Sequence, residues 1–242
     1  MQPSSGPLLP GPTIVLTRGE PVSITVVNQL REPTAVHWHG IELESYYDGV
    51  AGFAGYPGRI APLIAPRDSF VARFTPPRSG TFIYHPHADE LRQQQAGLAG
   101  AIVVVDSAPA FDPAHDMVML ITVPRSSVIA ADQVFLNGTT APATRDLRVG
   151  ERYRLRIVDI HTFRPSMIVR VVKEGTPVMW RAVAKDGMTL PPEQATTRPA
   201  VQQMGNGETY DFELAPTAPG DLRFTVSSAA GVLLVSQTFR VR

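Results

Sequence analysis

Two short motifs concentrate the chemistry of this chain. His37-Trp38-His39-Gly40 and His85-Pro86-His87 hold four of its six histidines. Each pair closes a segment that reads as a β-strand, and side chains at i and i+2 leave a strand on the same face. One H-x-H therefore presents two imidazoles side by side, and two such strands brought together present four. Imidazole is the commonest metal ligand and suits copper, zinc, iron or nickel. A lone histidine is more often a packed or surface residue, but two spaced pairs in a histidine-poor chain point to a metal. The remaining two have no such spacing. His115, in Asp112-Pro113-Ala114-His115-Asp116, reads as a surface residue in a linker, and His161, in Asp159-Ile160-His161-Thr162-Phe163, as another surface residue. The chain contains no cysteine, which excludes disulfides, thiolate nucleophiles and Cys-containing metal sites.

The elements that must position these histidines are strands. Val22, Ile24 and Val26 alternate with Ser23 and Thr25, and Phe70, Ala72 and Phe74 alternate likewise, the period of half-buried strands. Thr13–Thr17, Thr34–His39, Thr81–His87 and Ala101–Val105 complete the first set. In the last but one, Phe82 and Tyr84 share one face while Ile83, His85 and His87 share the other. Residues 40–66 are rich in Gly and Pro and read as a long loop, of the kind that tends to carry function. Ala88–Gln95 is the best short helix, with Asp89 and Glu90 at its positive end and Gly97 as its C-terminal cap. Ser107–Pro113 reads as a linker.

Beyond it, Met117–Val123, an Asn137-Gly138 turn, a strand at Tyr153–Ile157 with a basic solvated face (Arg152, Arg154, Arg156), and strands near 167–172, 178–184, 210–214, 224–226 and 232–241 repeat the β style. Residues 185–207 read as a polar loop. Short strands with turn signals roughly every 8–12 residues mean sandwiches. The predicted fold is all-β, two Greek-key β-sandwiches, divided as residues 1–108 and 109–242.

The formal net charge is zero, so nothing points to nucleic acid or to an anionic membrane surface. No apolar run approaches the roughly 18 residues of a membrane helix. Met1–Gly6 has neither the basic start nor the apolar centre of a signal peptide. Met167, Met179, Met188 and Met204 have no pairwise spacing and read as core filling. Trp38 reads as packing, Tyr46-Tyr47 either as a substrate contact or as a cluster under the loop, and Asp89-Glu90 either as a helix-end acid pair or as a proton path near His87.

His-Trp-His-Gly, the Asp48-Gly49-Val50 loop, Gly80-Thr81-Phe82-Ile83-Tyr84-His85-Pro86-His87 and Gln95-Ala96-Gly97-Leu98-Ala99-Gly100-Ala101-Ile102-Val103-Val104 come in the order seen in multicopper oxidases, the family of the laccases, which residues 11–106 resemble. Residues 117–242 resemble a copper-free cupredoxin-like domain of that family. The resemblance implies copper as cofactor and reduction of dioxygen at a trinuclear cluster shared between two cupredoxin domains. It implies His37 as a type 2 copper ligand, His39, His85 and His87 as ligands of the type 3 pair, and Asp48 as the acid that orients water and relays protons beside them. It implies an exported, periplasmic or secreted location.

The family's H-x-x-H-x-H and H-C-H motifs are absent, and with them the thiolate of type 1 copper. The expected function is therefore a copper-binding portion of a laccase-like oxidase. It would supply half the cluster histidines and need a second cupredoxin pair, upstream in a longer protein or on another chain, or a symmetric oligomer that pools two histidine walls. Dioxygen and a reducing substrate are the implied partners once the site is complete. By itself the chain is expected to be inactive or nearly so as an oxidase. The alternative is a stand-alone copper-binding cupredoxin protein without turnover, with zinc as a further candidate ion. A structural relic that uses the fold only for association is disfavoured by the intact ligand pairs.

Overall fold

In the computed structural model, which describes residues 10–107, 111–123 and 134–242, the period-two stretches become strands. The chain divides into two compact units, Met1–Phe111 and Asp112–Arg242. The expected boundary at 108/109 falls outside the described residues. Each unit is a cupredoxin-like Greek-key β-sandwich, the all-β architecture read from the sequence.

The first unit contains β1 (Ile14–Thr17), β2 (Val22–Val27), β3 (Val36–His39), β4 (Gly55–Tyr56), β5 (Arg59–Ile60), β6 (Ser69–Phe74), β7 (Gly80–Pro86), helix α1 (Glu90–Gln95) and β8 (Gly100–Val105). One sheet has the order β1-β8-β7-β3, with β1 parallel to β8 and the other pairs antiparallel. Facing it, β2 pairs with β6. Trp38, Phe82, Tyr84, Ile102 and Val104 from the first sheet pack against Ala72 and Phe74 from the second. Each such fully buried large side chain is worth about 1.5–3 kcal/mol. The Trp38 ring lies 5.8 Å from that of Phe74, which makes it a packing residue. Since the pleat alternates, the opposite face of β3 and β7 is left to His37, His39, Ile83 and His85.

Residues 40–66 are less irregular than expected. They contain a 3-10 turn at Ser45–Tyr47 and the β4–β5 hairpin. Tyr46 and Tyr47 pack against Phe70, and the Arg59 guanidinium lies 4.3 Å from the Tyr46 ring centroid. This is the local cluster under the loop. Helix α1 starts two residues later than predicted. Asp89 takes a left-handed conformation (φ 45°), and its carboxylate accepts from Arg92 instead of capping an amide. The other end follows expectation: Gly97 N–H donates to Gln94 O and Leu98 N–H to Gln93 O, the paired bonds of a Schellman cap.

The second unit runs β9 (Asp116–Thr122), β10 (Phe135–Leu136), β11 (Arg145–Leu147), β12 (Tyr153–Asp159), β13 (Met167–Lys173), β14 (Thr176–Pro177), β15 (Met179–Lys185), β16 (Met188–Thr189), β17 (Thr197–Pro199), β18 (Val201–Met204), β19 (Thr209–Leu214), β20 (Gly220–Ser228) and β21 (Leu233–Val241). One sheet has the order β10-β9-β12-β19-β15-β16, the other β11-β21-β20-β13-β14. Residues 185–207 correct the loop prediction, since β16 and β17 pair with β15 and β18 pairs with β13. Ladder hydrogen bonds there outweigh a turn-rich composition. Asn137 and Gly138 both have positive φ, as a type I′ turn requires.

Four further readings are corrected. The arginine face is solvated only at Arg152: β12 lies between β9 and β19, which bring Asp116 and Asp211 against Arg154 and Arg156. His115 is at the surface as expected, but in the turn that opens the second unit and not in a linker; Asp112 and Glu151 flank its ring and Tyr153 stacks on it. Met167 and Met204 are core residues, but Met179 and Met188 are exposed. His161 is buried, as is Asp159, which accepts the His161 N–H.

Burial pushes the Asp159 carboxyl up to about 8, with Glu208 adding to the rise and the His161 amide opposing it. The unfolded chain releases this proton near pH 4 and the folded chain only near pH 8. Between those limits the unfolded state binds fewer protons, so stability falls as pH rises through the window. Asp159→Asn is expected to flatten that decline. Urea unfolding from pH 5 to 9, followed by Trp180 emission in a Trp38→Phe background, measures it. An unchanged slope in the Asn variant contradicts the assignment.

Candidate metal centre

Register, not sequence spacing alone, assembles the site. In the β3–β7 ladder His37 stands opposite His85 and His39 opposite Ile83. Matching parity sends all these side chains to one face. The His37 ring centroid lies 5.4 Å from His39, 5.3 Å from His85 and 5.7 Å from His87, and His39 lies 5.5 Å from His85. One ring nitrogen from each of His37, His39 and His85 lies within 4.8 Å of the other two. His39 Nδ1 and His85 Nε2 are 3.3 Å apart. Nitrogens held about 2.0–2.1 Å from one tetrahedral ion sit about 3.3–3.4 Å from each other, so this pair already has ligand spacing. His87 is exposed and its ring is 6.3 Å from His85, outside the three-nitrogen group. Its N–H donates to Ala35 O at 2.8 Å, carrying the ladder one residue past β7.

The neighbours of the wall settle which nitrogen is presented. His37 Nδ1 lies 2.8 Å from the backbone O of Asp48 and 3.2 Å from its Oδ1. His85 Nδ1 lies 2.9 Å from Pro86 O and 3.4 Å from Glu90 Oε1. A carbonyl only accepts, so hydrogen bonding assigns the proton to Nδ1 in both rings and leaves Nε2 with its lone pair. Such N–H contacts to carbonyl or carboxylate orient ligating imidazoles. Burial disfavours the charged form of His37, but the side-chain and backbone hydrogen bonds of Asp48, with its charge, outweigh burial and leave the pKa raised. His85 has no such excess. Burial, with the like charges of its histidine neighbours, lowers it to about 4, so it is neutral near pH 7.

Glu90, which reads either as a helix-end acid or as an acid near the histidines, has its carboxylate 3.4 Å from His85 Nδ1. One contribution to this site was not read from the sequence. Gly49 brings the loop against β3: its φ is +78°, and a Cβ there would lie 1.8 Å from Val36 O. The Asp48-Gly49 pair was visible, but the close approach depends on the folded loop. Gly49→Ala is therefore expected to lift the loop, separate Asp48 from His37 and weaken copper binding by about 10–100-fold. Gly52→Ala is the control, with the same φ and nothing within 4 Å of its Cβ. Competition titration against a copper chelator compares them, and equal losses would refute the loop's role.

A cupredoxin-like sandwich with a histidine wall on the outward face of its β3–β7 ladder defines a class of copper protein. Residues 7–109, nearly the whole first unit, match the family model described as multicopper oxidase. Copper is the cofactor of that family. The chain is 38% identical over 115 residues to copper resistance protein A of Escherichia coli, a match covering 46% of this chain and 18% of that protein. It is 36% identical over 110 residues to multicopper oxidase MmcO of Mycobacterium tuberculosis, covering 46% and 19%. The chain thus spans a small part of the curated relatives it matches. Among solved structures, a multicopper oxidase superposes with a TM-score of 0.80 at 22% identity over 97% of this chain and 79% of that one. The blue copper oxidase from Nitrosomonas europaea gives 0.74 at 21%, over 97% and 77%. These likenesses cover both units and concern the fold.

The residues present fit copper. Three imidazoles converge, two with their presented nitrogen fixed by hydrogen bonds, and imidazole is a good copper donor.

Proposed function

We propose that this chain is the copper-binding portion of a laccase-like multicopper oxidase and supplies part of the histidine set of a trinuclear cluster. The observation that supports it is the convergence of His37, His39 and His85 across one strand pair, with His87 at its exposed rim. When bound, copper would supply the redox centre for dioxygen reduction. The chain's own residues hold and orient it: Asp48 and the Pro86 carbonyl fix the rings of His37 and His85. The Asp48 carboxylate, partly exposed beside His37, is placed to hold water and pass protons. Trp38 and its core neighbours keep solvent from the back of the wall.

His87, exposed at the rim of the wall, is the residue best placed to meet ligands from elsewhere. A second cupredoxin pair, upstream or on another chain, or a second copy, completes the set. A second cupredoxin pair with a cysteine of its own would also bring the electron entry site, since a thiolate copper centre needs a cysteine this chain lacks; a second copy would complete the histidines without it. Dioxygen and a reducing substrate are the partners of the completed enzyme, and an exported location follows from the family. Among the described residues no helix is long and apolar enough to cross a membrane.

The compact three-nitrogen group also favours a second reading, a single copper ion held by the chain alone without turnover. Copper titration of the purified chain, with EPR and an oxygen-consumption assay, tests both. One tightly held ion, with no oxygen uptake even when a cysteine-bearing cupredoxin partner is added, supports the stand-alone reading. Additional copper and oxygen uptake gained on adding that partner support the oxidase portion. A folded chain that takes up copper under neither condition overturns both.

A further inference from the structure

On the inward side of the β3–β7 pair the first unit has a half-open pocket of about 450 Å³. Its walls are largely carbon: Val26, Leu30, Val36, Tyr84, Leu98 and Ala99. Val36 and Tyr84 precede His37 and His85 on the same strands, so the pleat turns them inward while the imidazoles face outward. We propose that this cavity is a binding site for a small uncharged apolar molecule of two or three fused rings.

The cavity is preformed. Thr34 Oγ1 donates to Gln93 Oε1 at 2.6 Å and Gln93 Nε2 donates to Pro33 O at 3.0 Å, tying the 28–34 turn to α1. Asn28 Nδ2 donates to Glu32 O and Ile64 O, and its Oδ1 accepts from Leu30 N–H. Tyr84 donates to Pro12 O at 2.8 Å. A Cβ on Gly11 or Gly100 would lie 2.1 or 2.4 Å from the Tyr84 hydroxyl, so the phenol is locked between two glycine backbones. The site therefore does not need to be built by its ligand, which lowers the ordering cost of binding.

The same bonds decide the ligand's chemistry. The side-chain donors and acceptors of Asn28, Thr34 and Gln93 are spent on the protein itself. The rim cation Arg92 is held by Glu32 at 2.6 Å and by Asp89, and offers little to an anion. What remains is mostly apolar surface, the exposed Gln29 amide at the rim and the acceptor lone pair of the Tyr84 hydroxyl, which suits at most one or two ligand hydroxyls. Pockets of about 300–1,000 Å³ take small molecules, and an apolar cavity of about 150 Å³ takes benzene, so the volume points to a fused ring system.

Titration of the full chain with 2-naphthol, followed by amide chemical shifts and by ligand fluorescence, tests the proposal. One saturable site is expected, with shifts at Val26, Leu30 and Leu98. Binding is expected to weaken at least about tenfold for the anion 2-naphthoate and in the filled variants Val26→Trp and Ala96→Trp. Non-saturable partitioning into the wild-type chain overturns the proposal. So does a saturable site whose shifts lie away from these residues, or one that both folded Trp variants leave unchanged. All readouts are independent of copper, so failure here leaves the metal centre untouched.

Discussion

His85→Ala is expected to abolish tight copper binding by the isolated chain, whereas His87→Ala leaves it nearly intact. His85 is the hinge of the three-nitrogen group. Its Nε2 lies 3.3 Å from His39 Nδ1 and its ring lies 5.3 Å from that of His37, so no other residue of β7 replaces it: Ile83, the next side chain on that face, is apolar. Deleting partners that merely orient a ligand costs about 10–100-fold in affinity, and deleting the ligand itself is expected to cost at least the upper figure. His87 presents an exposed ring outside the group, so in the isolated chain its loss is expected to change affinity by no more than about threefold, under 1 kcal/mol. Chelator competition with EPR of the bound ion measures both variants. Equal losses would mean that His87 swings inward on binding and that all four rings hold one ion, and the division into three converging donors and a rim residue would fall. In a completed cluster the order changes, because the rim position then meets its missing neighbours and His87→Ala becomes costly. The contrast between the two contexts is the signature of a shared site.

Both the wall and the sandwich were legible because their periods agree. An H-x-H in a strand can only put both imidazoles on one face, and the alternation of Val22–Val26 and Phe70–Phe74 told which faces were core. Register was not legible. That His37 faces His85, not His87, depends on how β3 and β7 are aligned, and this is what leaves one histidine at the rim. Nor does sequence show which nitrogen a ring presents, because the backbone carbonyls of Asp48 and Pro86 decide it. The errors in the second unit share a cause. Arg154 and Arg156 look solvated when β12 is read alone, and they are neutralised only because carboxylates far along the chain arrive on both neighbouring strands. His161 looked exposed for want of a pattern around it, and pattern is a guide only where one face of an element meets water.

That arginine face supplies the largest expected stability effect. Asp211, fully buried in the middle of the sheet, accepts through Oδ2 from Arg154 Nη2 at 2.7 Å and from Arg156 Nη1 at 3.0 Å. Arg156, itself buried, also donates through Nε to Asp116 Oδ1 at 2.8 Å. Removing one partner of such a buried group leaves charge without compensation, which costs about 3–5 kcal/mol. Asp211→Ala is expected at the lower end of that range, since Asp116 still serves Arg156. Replacing the interior pair together, Asp211→Leu with Arg156→Met, is expected to recover most of the loss, because no unpaired buried cation remains and apolar volume fills the space. The remaining cost is Arg154, which is partly exposed and can turn to water, together with Asp116, which loses Arg156. Trp180 stacks on Phe212 at 3.8 Å between centroids, beside Asp211 in sequence, so its emission in a Trp38→Phe background follows this unit selectively in urea. If Asp211→Ala lowers stability by less than about 1 kcal/mol, the pairing behaves as a surface ion pair and not as the anchor of the sheet. If the double variant is no better than the single one, shape and not charge is what Asp211 provides between β12 and its neighbours.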